Sequence, residues 1–281
     1  MSNLGDDSGN LLVRARSVLL DAIDALAEQK NSVVLIGAQA VYLHTGGLNI
    51  ALAEATKDAD LALDPRLLGD EPLIETAMVT AGFSQEVGGQ PGAWLSVEGV
   101  PVDLMVPESL AGAGDKHARA ARIPPHARNA VRRARGLEAA VVDCAEMVVH
   151  ALDPSDDRVR SIKVAGPAAL LVAKTHKIAE RAGTPARLND KDAHDVYRLL
   201  LSTETAQLAR DFRALRGSDF SRECTAYAIE QIGVLFASGP HAIGAAMAGR
   251  AEEQVGDPAI VSTATALLAA DLLTALGGDD N

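Results

Sequence analysis

The hydrophobic period of this chain changes once, near residue 165, and that change limits the folds open to it. Before it, short apolar runs are separated by turn residues and helical stretches. They are "SVVLIG" ending at Gly37, "ADLAL" at 59–63 and "AWLSVEGVPVDLMV" at 93–106. Strands and helices interleaved in this way build a sheet with helices on its faces. From Gly166 onward the period is helical and stays so, through "AALLVAKTHKIAERA" and "KDAHDVYRLLL" to residue 278. The sequence therefore predicts an α+β chain. Residues 1–165 form a mixed β-sheet with flanking helices, and residues 166–281 a helical C-terminal domain. Aromatic residues make up only 3% of the chain, so Ala, Leu and Val must fill the core, and Ala and Leu favour helix.

Within the first part, apolar positions 12, 13, 18, 19, 23 and 26 predict a helix over 11–30. A buried strand ends at Gly37, and "AQAVYLH" resumes a helical pattern that "TGG" at 45–47 closes. A further helix is expected near 70–81, closed by Gly82. Glu98-Gly99 marks a hairpin, and two more strands are expected at 137–143 and 147–152.

The strand "ADLAL" raises a chemical question. Asp58 and Asp60 lie two residues apart, so on a strand both point to one face, about 7 Å apart. Ala59, Leu61 and Leu63 take the other face. Asp103 stands on the second arm of the hairpin, on the face opposite Val100, Val102, Leu104 and Val106. Three carboxylates on neighbouring strands, beside a glycine that opens a helix, suit Mg²⁺ or Mn²⁺ together with substrate phosphates. Acids facing water at strand ends would look the same.

In order, "LIGAQA", "TKDADLAL" and "PVDLMV" resemble the nucleotidyltransferase superfamily. The downstream segment "LLVAKTHKIAERAGTPARLNDKDAHDVYRLL" is similar to the AbiEii/MenT-like nucleotidyltransferase toxins. The resemblance spans roughly residues 30–200. It implies a nucleotidyltransferase-like sheet and the transfer of an NMP from an NTP to an acceptor hydroxyl, often at the 3′ end of tRNA. It also implies a toxin restrained by a cognate antitoxin. By the same resemblance Asp58, Asp60 and Asp103 hold metal, and Asp103 acts as base toward the attacking hydroxyl. Gly37 and Ala38 approach the triphosphate, Lys174 or Lys177 contacts it, and Asp195 supports the site. Thr56, on the face of the carboxylates, matches a hydroxyl that an antitoxin can phosphorylate in such toxins. Ala38 departs from the usual Gly or Ser, and Glu54 stands where an Arg is common. Two other readings of the chain are a small-molecule (antibiotic-type) nucleotidyltransferase and a non-catalytic binding module of the same fold.

Charge is unevenly spread. The chain carries a net charge of -12, yet residues 116–135, "KHARAARIPPHARNAVRRAR", contain no acid. Arg128, Arg132 and Arg133 in this stretch are candidates for RNA-phosphate contact, expected to lie away from the three acids. A surface loop balanced by acids elsewhere explains the stretch equally well, and no aromatics interleave it for base stacking. Lys174, Lys177 and Arg181 form one helical stripe, and Asp192 and Asp195 share a face, able to pair with them. Two distant cysteines, Cys144 and Cys224, match no metal spacing and suit a reducing cytoplasm. A polar N-terminus without an apolar signal core, and no apolar run near 20 residues, predict no membrane partner.

Overall fold

The computed structural model describes residues 4–46, 57–114, 119–253 and 256–278. The chain divides into two compact units. The first takes Met1–Ala40, Ala55–Leu137 and Cys144–Ala165, and the second takes Val41–Glu54, Glu138–Asp143 and Gly166–Asn281. The last passage between them falls at Ala165–Gly166, where the hydrophobic period changes.

The first unit is a mixed, open seven-stranded sheet with flanking helices. Helix α1 (Leu4–Ala25) precedes β1 (Val33–Ile36), which is buried along its whole length. Helix α2 (Gly37–Thr45) follows without a linker, and its residues from Val41 on group with the second unit. Then come β2 (Ala59–Leu63), α3 (Ile74–Thr80), β3 (Ala93–Leu95), β4 (Pro101–Pro107), β5 (Arg132–Ala134), β6 (Cys144–His150) and β7 (Val159–Ala165). The strand order is β3-β4-β2-β1-β7-β6, with β5 also on β4. β3 pairs with the first half of β4 and β5 with the second half, so two short strands share its length. Helix α1 packs on α3, β2, β4 and β7, burying Leu12, Val18, Leu19, Leu20 and Ile23.

The expected hairpin is β3–β4, antiparallel with Trp94 opposite Val102. The strand expected at 137–143 is instead helix α4 (Glu138–Val142). Its opening Glu-Ala-Ala is strongly helix-forming, and the β-branched Val141-Val142 pair that suggests a strand arrives only at its end. The partner of β6 is β7, which carries Arg160 and Lys163 and so lacks an apolar face in the sequence. Arg160 reaches Asp24 at 2.5 Å and Lys163 donates to the Asn31 carbonyl at 2.6 Å, which lets a strand this polar sit inside the sheet.

The second unit is helical. After α4 come α5 (Pro167–Arg181), α6 (Asp190–Ser202), α7 (Thr205–Gly217), α8 (Arg222–Ile232), α9 (Ile243–Arg250) and α10 (Pro258–Gly277). Helix α6 packs on α5, α9 and α10, and it is buried on all sides from Asp192 to Leu200. Helix α10 has 20 residues and, by length and composition alone, is long and apolar enough to cross a membrane, although Ser262, Thr263, Thr265, Asp271 and Thr274 interrupt its apolar sequence. Val261, Thr265, Ala269, Leu272 and Leu276, at helical spacing, are buried against neighbouring helices, while Ile260, Leu267 and Asp271 are exposed.

Candidate functional site: strand-end carboxylates and a buried ion network

The carboxylates of the first unit meet where β1 hands over to α2. Ile36, the last residue of β1, is the register partner of Asp60 on β2. Gly37 follows with φ +69°, a conformation that L side chains rarely adopt. A Cβ there would lie 2.1 Å from Asp60 Oδ2. The Asp60 carboxylate therefore rests against the bare α-carbon that opens α2, where amide dipoles favour negative charge. Ala38, next in the helix, is half-buried.

On the other side of β2, Asp60 is in register with Asp103 of β4, and the two strands are parallel. Register neighbours on parallel strands point to the same face, with backbones about 4.8 Å apart. Leu61, Ala62 and Leu63 are buried, so β2 is open only at its acidic end, where Asp60 and Asp58 are half-buried. Asp58 lies one residue ahead of β2. Thr56 and Glu54 fall outside the described residues.

A cation already sits on Asp103. Arg132 Nη2, from β5, donates to Asp103 Oδ2 at 2.6 Å, with both side chains about a quarter exposed. This corrects the expectation that Arg132 lies away from the acids. Arg133 Nη2 donates to the carbonyls of Ala111 and Gly112, at 3.4 and 3.2 Å. Arg128 is exposed. The basic stretch is thus partly built into the fold. His126 Nδ1 accepts from the Ile74 amide, and Arg135 pairs with Glu108. Lys116 and His117 lie outside the described residues.

Hard carboxylate oxygens are the donors that Mg²⁺ or Mn²⁺ prefers, and Asp58, Asp60 and Asp103 supply them from adjacent backbone. Yet among the described residues no group of three or more His, Cys, Asp or Glu is assembled to hold a metal ion. The donor set has the right chemistry, and Arg132 occupies one of its oxygens.

In the second unit the lysine stripe is one side of an ion network. Lys174 Nζ donates to Asp192 Oδ1 at 2.8 Å and to Asp195 Oδ2 at 2.6 Å. Lys177 shares Asp192 Oδ1 at 2.9 Å, and Arg181 approaches Asp192 Oδ2 at 3.6 Å. The side chains of Lys174, Asp192 and Asp195 are 8%, 6% and 5% exposed, whereas Lys177 is 41% exposed. Burial alone would lower the Lys174 pKa, but Asp192 and Asp195 outweigh it and hold it well above the usual lysine range. Burial works against the Asp192 carboxylate too, and Lys174 and Lys177 reverse it, holding its pKa well below the usual range. Lys174 is therefore buried between two carboxylates, whereas Lys177 pairs with Asp192 from a side chain that stays partly exposed.

Three features have no signal in the sequence. The first is the Arg132–Asp103 pair. The second is a buried His194 Nε2–Glu252 Oε1 contact at 2.6 Å, between residues 58 positions apart. The third is Arg198, 5% exposed, whose burial lowers its pKa despite Asp195 nearby. Compared with known families, curated proteins and solved structures, the chain matches none.

Proposed function

We propose that this chain is a metal-dependent nucleotidyltransferase. It moves an NMP from an NTP to an acceptor hydroxyl and acts in the cytoplasm as the toxin of a toxin–antitoxin pair, with the tRNA 3′ end as acceptor. One observation supports this most. Two register-paired carboxylates, Asp60 and Asp103, stand at the open end of the sheet, and Gly37 leaves the backbone of a helix start bare against one of them.

A divalent cation held by Asp58, Asp60 and Asp103 would neutralise triphosphate charge and favour departure of pyrophosphate. The remaining chemistry belongs to the chain. Gly37 and Ala38 present backbone, without a bulky side chain, to incoming phosphate oxygens. Asp103 accepts the proton of the acceptor hydroxyl as its oxygen bonds to the α-phosphorus and the bond from that phosphorus to pyrophosphate breaks. The exposed Arg128 offers charge to an RNA backbone.

A second reading, a non-catalytic binding module, is favoured by the Arg132–Asp103 pair, because that pair satisfies Asp103 without any metal. Incubation with each α-phosphate-labelled NTP, Mg²⁺ and total tRNA separates the readings. Label in tRNA from the wild type, lost in Asp60→Asn, is the expected result. Label in a small molecule instead replaces the acceptor, and absence of turnover selects the binding module.

A further inference from the structure

We infer that Arg132 is a built-in competitor for the metal at Asp103, so that the protein as folded here is a locked state of the carboxylate site. The inference rests on the nucleotidyltransferase reading and adds a regulation to it.

The lock is specific in its geometry. β5 is three residues long and parallel to β4, with Arg132 in register with Met105, two residues beyond Asp103. Trp94, the only tryptophan of the chain, donates through Nε1 to the Ala130 carbonyl at 3.0 Å, which fixes the chain just ahead of Arg132. Gly92 completes the cradle. A Cβ there would lie 2.7 Å from the Arg132 amide nitrogen and 2.3 Å from the Leu104 carbonyl oxygen, so only a glycine lets the strand carrying Arg132 press this close. The guanidinium is thereby delivered to the same carboxylate that a divalent cation would use.

The lock is also built to open. Arg132 makes one hydrogen bond to Asp103, to Oδ2, and its Nε is buried with no hydrogen-bond partner. A guanidinium that is bidentate and fully satisfied would be hard to displace, and this one is neither. Its neighbour Arg133 is tied to backbone carbonyls and stays out of the exchange. Both partners of the pair are a quarter exposed, so solvent weakens it and a doubly charged ion can replace a singly charged one. The basic segment that carries Arg132 also carries the exposed Arg128, so an RNA phosphate drawing on this segment would act on the same strand that holds the lock.

The test is calorimetric Mn²⁺ binding to the full chain: wild type, Arg132→Met, Asp103→Asn and the double variant. Arg132→Met keeps the aliphatic stem and removes the charge. It should bind Mn²⁺ more tightly than the wild type, by up to about fivefold, the factor set by a partly exposed ion pair. Asp103→Asn should remove that gain. Equal affinity in wild type and Arg132→Met, with Asp103→Asn weaker than both, would overturn the lock and leave the metal site standing. Absence of Mn²⁺ binding in every folded variant would overturn the metal site itself, and the lock with it. Should Arg132→Met fail to fold, the wild type answers through Trp94. Its emission should change saturably over the Mg²⁺ range in which calorimetry detects binding, and Mg²⁺ binding without that change overturns the lock.

Discussion

Replacing Lys174 by Met separates a structural lysine from a phosphate-binding one. The structure sets the magnitude. Lys174 satisfies two carboxylates that are 6% and 5% exposed. Lys177 and Arg181 still face Asp192 in the variant, so the carboxylate that loses its hydrogen-bonded cation is Asp195, near which the buried Arg198 remains. Removing one partner of a buried pair destabilises a protein by about 3–5 kcal/mol, because the remaining charge has lost its compensation. Urea unfolding of Lys174→Met, followed by far-UV circular dichroism, should show a loss of that size. Lys174→Met/Asp195→Leu should recover part of it, since an apolar pair of similar volume removes the orphaned charge. The pH dependence follows from the two shifted groups. Asp192 has its folded pKa depressed, so its contribution is present above the unfolded value of about 4 and fades as pH falls below it. Lys174 has its folded pKa raised, so its contribution is complete below the unfolded value of about 10.4 and fades as pH rises beyond it. The wild type should therefore lose stability at both ends, and Lys174→Met should lack the alkaline limb. A change under about 1 kcal/mol, in the range of exposed pairs, would refute the buried network and return Lys174 to the role of a free phosphate ligand.

Gly37→Ala should destabilise the fold by about 1–2 kcal/mol from backbone strain alone. It should also weaken Mn²⁺ binding, because the new Cβ lies 2.1 Å from Asp60 Oδ2 and must turn that carboxylate; an unchanged melting temperature would contradict the observed φ. Arg128→Ser should lower the slope of log affinity for tRNA against log salt by about one, while Arg133→Ser should leave it nearly unchanged; equal slopes in wild type and Arg128→Ser would remove this arginine from the RNA surface. Burial, reinforced by Glu138, pushes the Cys224 thiol up to about 11. Iodoacetamide should therefore label Cys224 slowly at neutral pH and faster as pH rises toward that value, and rapid labelling at pH 7.5 would contradict the raised pKa.

The sequence made some of this visible and hid the rest for definable reasons. The α+β organisation and the helical C-terminal region follow from a change of period that no tertiary contact overrides. The β3–β4 hairpin is legible because glycine and alternation agree. Strand β7 is not, because Arg160 and Lys163 break the apolar pattern and are made tolerable only by Asp24 and the Asn31 carbonyl, more than a hundred residues away. Helix α4 is misread because two valines outweigh the helical start that precedes them. At the site, Asp60, Asp103 and Gly37 could be placed together from strand, glycine and helix order, since register follows from alternation. The Arg132–Asp103 pair could not be foreseen, because β5 is too short and too charged to announce itself as a strand. The stripe of Lys174, Lys177 and Arg181 was legible as spacing. That Lys174 is buried in the network while Lys177 pairs with Asp192 from a partly exposed position depends on tertiary packing, which periodicity does not reveal.

On the proposed function, Asp58, Asp60 and Asp103 hold a divalent cation once Arg132 moves aside. Anomalous diffraction from crystals grown with Mn²⁺ and a non-hydrolysable NTP tests it most directly. An anomalous peak is expected about 2.1 Å from carboxylate oxygens of Asp60 and Asp103, with the Arg132 guanidinium displaced from Asp103 Oδ2. Bound nucleotide elsewhere, no peak at these carboxylates and Arg132 still on Asp103 would contradict it.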